Sequence, residues 1–154
     1  MPIKPVQNGT ISSDFEDHMR RSPLGSWGID LISPDSEPEI RAAWSGVIYA
    51  QGWSKTFGNR IWIKNDLGNY SVYPHMRRFA KEFTTNEKIQ EGDVLGIMGN
   101  TGLIMHNGQL VYNDGIIVPL PQGEHLHYEE RTAPDQTGGS IFPMQILKFY
   151  YGIK

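Results

Sequence analysis

The sequence predicts a mainly β fold, organised as one domain over residues 1–154. Three observations predict it. Glycine (17) and proline (10) are frequent and spread along the chain, which suits many short strands joined by tight turns. Apolar and aromatic runs of four to six residues recur, and several alternate with period two, as strands with one buried face do. No linker or low-complexity stretch interrupts the chain, and a chain of this length buries roughly 70% of its unfolded surface around one core.

Taken in order, Gly28-Ile29-Asp30-Leu31 reads as a strand with Ile29 and Leu31 facing the core and Asp30 on the opposite face. Gly46 to Ala50 and Arg60 to Lys64 follow; in the second, Arg60, Trp62 and Lys64 share one face and Ile61 and Ile63 the other. Tyr70 to Tyr73 runs into Pro74, which lacks a ladder donor and is expected to put His75 at a strand edge. Asp93 to Met98 is a further strand. Leu110–Tyr112 and Ile116–Val118 flank Asn113-Asp114-Gly115, read as a hairpin turn because Asp-Gly accepts positive φ. His125 to Glu129 closes the series. The only helix expected is Phe142 to Tyr150, with Pro143 suited to a first helical turn.

Hydrophobic content of 38%, aromatic content of 11% and charged content of 20% are those of an ordinary globular protein. A net charge of −3 argues against a nucleic-acid partner, and Arg77, Arg78 and Lys81 read as a solvated edge. There is no cysteine, so the fold needs no disulfide. No apolar run approaches the ~18 residues of a membrane span. Residues 1–7 lack the apolar core of a signal peptide, so neither a leader nor membrane insertion is expected.

The chemistry-bearing residues are few. In His125-Leu126-His127, period two sets both imidazoles on one face, which suits two metal ligands or one ligand beside one general base. Read singly, Asp30 is as readily a turn or cap residue, and His75 as readily an exposed one. Trp27, Trp44, Trp53 and Trp62 read as core and groove-wall residues.

Order changes the reading. Gly28-Ile29-Asp30, Ile40-Arg-Ala-Ala-Trp-Ser-Gly46, Phe57-Gly-Asn-Arg-Ile61, Tyr73-Pro-His75, Glu91-Gly-Asp-Val-Leu-Gly96, Gly99-Asn-Thr-Gly102 and His125-Leu-His-Tyr-Glu129 follow one another. In this succession, over residues 9–131, the chain resembles the lysostaphin/LytM-type zinc endopeptidases, which cut peptide cross-bridges in bacterial cell walls. The resemblance implies a small β barrel-sandwich with its site in a groove on one sheet. It implies zinc held by a histidine, an aspartate four residues later and the second histidine of the H-x-H pair. The other two histidines would position or deprotonate water and stabilise the tetrahedral intermediate. Carried over, Asp30 and His127 match metal ligands, His75 and His125 match the catalytic pair, and Trp27 and Tyr73 are candidates for the substrate groove.

Ser26 stands where the first ligand is expected. A serine hydroxyl is a poor zinc ligand, and catalytic zinc generally has three protein ligands and an open position. The expectation is a vestigial third position, zinc bound weakly or not at all, and a groove kept for binding cell-wall peptide or a protein partner without catalysis. The competing reading is an active endopeptidase in which His18 or His106 substitutes as ligand. A third places the chain in a bacteriophage tail or virion, acting at the bacterial wall or released at lysis. The stretch from about 103 to 124 reads as an insertion beside the groove, able to narrow or cover it.

Overall fold

The computed structural model describes residues 2–21, 27–134 and 140–141; Ser26 and the helix expected over 142–150 lie outside the described residues. The elements are β1 (Thr10–Ser13), α1 (Phe15–Arg21), β2 (Ile29–Ile32), β3 (Glu39–Arg41), β4 (Gly46–Ser54), β5 (Gly58–Asn65) and β6 (Tyr70–Phe79). There follow β7 (Lys88–Ile89), β8 (Val94–Met98), β9 (Gly102–His106), β10 (Gln109–Asn113), β11 (Leu126–Arg131) and β12 (Ser140–Ile141). The mainly β expectation holds.

The main path of the larger sheet runs β1-β2-β11-β6-β5-β4-β7, with β12 on β11, β8 bonded to β6 and β3, and β9–β10 as a separate pair. Among the described residues this path runs from β1 to β7 without rejoining, so the sheet is not closed and barrel-sandwich overstates its closure. Period two sets the core: Ile29, Leu31, Ile61, Ile63, Leu126 and Tyr128 are buried with Ile40, Leu95 and Met98. Burying each such aliphatic side chain contributes roughly 1.5–3 kcal/mol. Phe57, Trp62 and Val72 form a smaller cluster.

Three local features depart from the sequence reading, and each shapes the site. The expected edge at Pro74 is instead the middle of β6, which pairs with β5, β8 and β11. Pairing with β5 jumps from Tyr73↔Ile61 to Met76↔Asn59, so Pro74 and His75 form a bulge where the missing donor costs nothing. The expected turn at Asn113-Asp114-Gly115 is not the hairpin turn. The hairpin joins β9 to β10 through Asn107-Gly108, both at positive φ (51° and 76°), the pair that a tight turn matching strand twist demands. Asn113 is buried and uses its side chain locally, donating to Asn100 O and Val118 O and accepting from Gly115 N and Val118 N.

The third departure is α1. Asp14 caps it, accepting from Asp17 N at 2.9 Å, with Glu16 and Asp17 in the first turn and His18, Arg20 and Arg21 in the last. Phe15 meets the Trp27 ring edge-on at 5.9 Å, packing the helix onto the chain entering β2.

Candidate functional site

β11 lies between β2 and β6, and its register sets His127 directly opposite Asp30. The two side chains meet: His127 Nδ1 is 2.8 Å from Asp30 Oδ1. α1 lays a third group on the same point, with His18 Nε2 3.2 Å from that oxygen. The two imidazoles are 4.7 Å apart between centroids, and the three candidate donor atoms all lie within 4.8 Å of one another.

These residues fit a metal ion. Zinc bonds of ~2.05 Å in a tetrahedron place ligand atoms about 3.3 Å apart, close to the separations seen. The far nitrogen of each ring is occupied: His18 Nδ1 donates to Asp14 O at 2.8 Å, and His127 Nε2 donates to Glu129 Oε2 at 2.9 Å. Both rings are thereby oriented with the near nitrogen toward Asp30, as outer hydrogen bonds orient metal-binding histidines. Glu129 is fully buried and held by Arg131, whose Nε and Nη2 lie 2.9 and 2.8 Å from Oε1; the Arg131 guanidinium packs over Trp62.

Without a cation, a proton takes its place. Burial raises the Asp30 carboxyl, but hydrogen bonds from His127 and His18 outweigh it and hold Asp30 well below the usual carboxylate range. Burial also opposes a charge on His127, yet Asp30 and Glu129 prevail and raise it to about 10.

The remaining two histidines stand alongside. His75 sits at φ 62° in the β6 bulge, its Nδ1 donating to Thr101 O at 2.6 Å. Burial, reinforced by the charges of His125 and His127, pushes it down to about 3, so it is neutral at physiological pH. His125 donates Nδ1–H to Gly123 O at 2.9 Å, and its ring lies 4.9 Å from that of His75. Gly58 and Gly102 make this possible: a Cβ on Gly102 would lie 2.3 Å from Gly58 N, so only glycine lets β5 and β9 approach closely enough to set Thr101 over His75.

Asp30, His75, His125 and His127, all singled out in the sequence, therefore line one groove of about 1030 Å³ with His18. His106 does not join them; it ends β9 beside Asn107, with Nε2 3.3 Å from Asn107 Nδ2. Tyr73 is not a groove residue. It is fully buried in the core and its hydroxyl accepts from Ala43 N, because the bulge after it breaks the alternation that would give Tyr73 and His75 one face. Trp27 packs on Phe15 and is absent from the groove lining, so it supports α1 instead. Sequence reasoning had His18 only as a substitute and missed Glu129 and Arg131 as supports, although the i, i+2, i+4 spacing of His127, Glu129 and Arg131 on one strand face was a readable signal.

A family model, Peptidase family M23, matches residues 25–138. The chain belongs to this family. His18 lies ahead of the matched M23 segment, whereas Asp30, His75, His125 and His127 lie within it. Among curated proteins, the L-Ala--D-Glu endopeptidase of Bacillus subtilis (strain 168) is 29% identical over 75 residues, covering 49% of this chain and 23% of that protein. Endolysin 2638A of Staphylococcus phage 2638A is 26% identical over 102 residues, 66% of this chain and 18% of that protein. The chain thus spans under a quarter of the length of these M23 relatives. Among solved structures, the catalytic domain of lysostaphin from Staphylococcus simulans superposes with a TM-score of 0.59 at 22% identity, covering 79% of this chain and 77% of that one, a likeness of fold. No helix among the described residues is long and apolar enough to cross a membrane.

Proposed function

We propose that this M23 chain is an active zinc-dependent endopeptidase of bacterial cell-wall peptide, with His18 in place of the ligand that Ser26 does not supply. The observation that carries this reading is the convergence of His18 Nε2 and His127 Nδ1 on Asp30 Oδ1, each ring locked from behind. His18, Asp30 and His127 would hold the ion, which when bound supplies Lewis-acid polarisation of carbonyl and water.

The chain's own groups then handle the proton. With both Nδ1 atoms donating to carbonyls, His75 and His125 each keep Nε2 as an acceptor. His75, held neutral by burial, orients one O–H of the attacking water by accepting from it. His125 accepts the other proton as general base and returns it to the departing amine, help typically worth 10²–10⁴-fold.

Digestion of purified bacterial wall material tests the assignment. New amino termini should appear, vanish with 1,10-phenanthroline and return with added zinc. A zinc-saturated protein that releases none contradicts it and favours the reading founded on Ser26, a relative that binds wall peptide without cutting. Similarity to a phage endolysin supports a phage origin; absence of the chain from purified particles would remove the virion assignment.

A further inference from the structure

We propose that the β9–β10 hairpin is the specificity wall of the groove, and that it seats an aliphatic side chain next to the bond to be cut, so that alanyl- or leucyl-containing peptides are preferred over oligoglycine. This rests on the peptidase reading for the bond, but concerns which peptide lies there.

Register places four apolar residues on one hairpin face: Leu103 opposite Tyr112 and Met105 opposite Leu110. The other face carries Ile104 and Val111, and buried Ile104 anchors the hairpin to the body. Leu103, Met105 and Leu110, together with Ile104 of the other face, line the same cavity as His18, Asp30, His75, His125 and His127, and Ile32 faces the cavity too, two residues beyond Asp30 on β2. A peptide laid across the histidines therefore runs beside the hairpin, with Leu103, Met105 and Leu110 at its flank.

The face is exposed at a cost unless something uses it. Among the described residues, six of the eleven exposed large hydrophobics fall between 105 and 120: Met105, Leu110, Tyr112, Ile116, Ile117 and Leu120. Leu110 is 66% and Met105 50% exposed. Soluble chains rarely leave apolar residues so concentrated outside a binding site.

The chemistry narrows the occupant. From 103 to 123 the only Asp, Glu, Lys or Arg is Asp114, so the hairpin strands themselves carry no charged side chain; the charges nearby, Lys55, Arg21 and Glu124, come from other elements. A sugar is poorly served. The single aromatic of the face, Tyr112, has Lys55 Nζ 4.3 Å above its ring, and the remaining surface is thioether and aliphatic carbon. An aliphatic side chain on an extended peptide satisfies that surface, whereas glycine leaves it wet. Discrimination by a methyl-sized group in such a site is on the order of tenfold or more.

The test is peptide binding to the full chain, followed by isothermal titration with pentaglycine amide and with the same peptide carrying one central alanine or leucine. The alanyl and leucyl peptides should bind about tenfold more tightly. Met105→Gln with Leu110→Gln should abolish the preference while zinc content and thermal midpoint stay unchanged, and Leu110→Met should keep it. Equal affinity for all three peptides, or a preference untouched by the double substitution, overturns the proposal. So does a concentration-dependent dimer in sedimentation that the double variant dissolves, since a second copy would then own the face. If the preference appears but no peptide is cut with zinc present, the peptidase reading fails and this one stands; if oligoglycine and alanyl peptides are cut alike, the reverse holds.

Discussion

His18 Nε2 lies 3.2 Å from Asp30 Oδ1, although His18 belongs to a helix of seven residues and Asp30 to a strand of the main sheet. That contact joins two pieces of chain that the fold could otherwise hold apart. It also turns the helix into part of the site. Whatever fixes α1 fixes a candidate metal ligand.

The cap is the first such fixture. Asp14→Ala removes the side-chain acceptor for Asp17 N and should cost the helix about 1 kcal/mol. Faster hydrogen exchange at residues 15–21, with weaker zinc binding and an unchanged core, is the expected outcome. Unchanged exchange there would mean that packing through Phe15 and Trp27 suffices.

The support behind His127 makes a second prediction. Glu129→Gln keeps the shape but weakens the acceptor that orients the ring, and zinc affinity should fall 10–100-fold. Arg131→Met removes the guanidinium paired with the buried Glu129 carboxylate, so it should destabilise the fold by about 3–5 kcal/mol. Competition with a chromophoric chelator and chemical denaturation read the two effects separately.

Stability against pH supplies a third. His127 is raised from 6.5 to about 10 in the fold, so its contribution is complete below 6.5 and is lost as pH climbs toward 10. His75 is lowered from 6.5 to about 3, so its contribution is complete above 6.5 and is lost as pH falls toward 3. The metal-free protein should therefore melt highest near pH 6.5. Zinc should flatten the alkaline limb, because binding replaces the His127 proton. A metal-free protein with no alkaline decline contradicts the account of His127.

Separating the four groove histidines by role gives a fourth. His125→Ala should lower kcat 10²–10⁴-fold with zinc content intact. His75→Ala should also retain zinc, and its larger effect should be on kcat rather than KM because the ring orients water rather than peptide. Loss of zinc in either variant would place that ring among the ligands.

Much of this was legible. Alternation in Ile29–Leu31 and Arg60–Lys64 named both the buried face and the face carrying Asp30, since period two leaves no other arrangement. The ordering of Asp30, His75, His125 and His127 within the matching motifs carries the family resemblance, and that resemblance implies the groove. What escaped was local and short. α1 has too few residues for a helical period to emerge, though Asp14 and Asp17 at capping spacing marked it. Asn107-Gly108 is the stronger turn signal, and Asn113-Asp114-Gly115 reads as a hairpin turn because a buried amide closing a loop looks the same in sequence. Tyr73 lies in the core rather than the groove because of the bulge at Pro74: one extra residue in a strand reverses the faces after it.

The account stands most directly on zinc stoichiometry in protein purified without chelator, measured by inductively coupled plasma spectrometry for the unaltered chain, His18→Ala and Ser26→Ala. Close to one zinc per chain, lost in the His18 variant and kept in the Ser26 variant, is the predicted result. A chain that carries no zinc when zinc is supplied, or one that holds it equally well without the His18 imidazole, would contradict it.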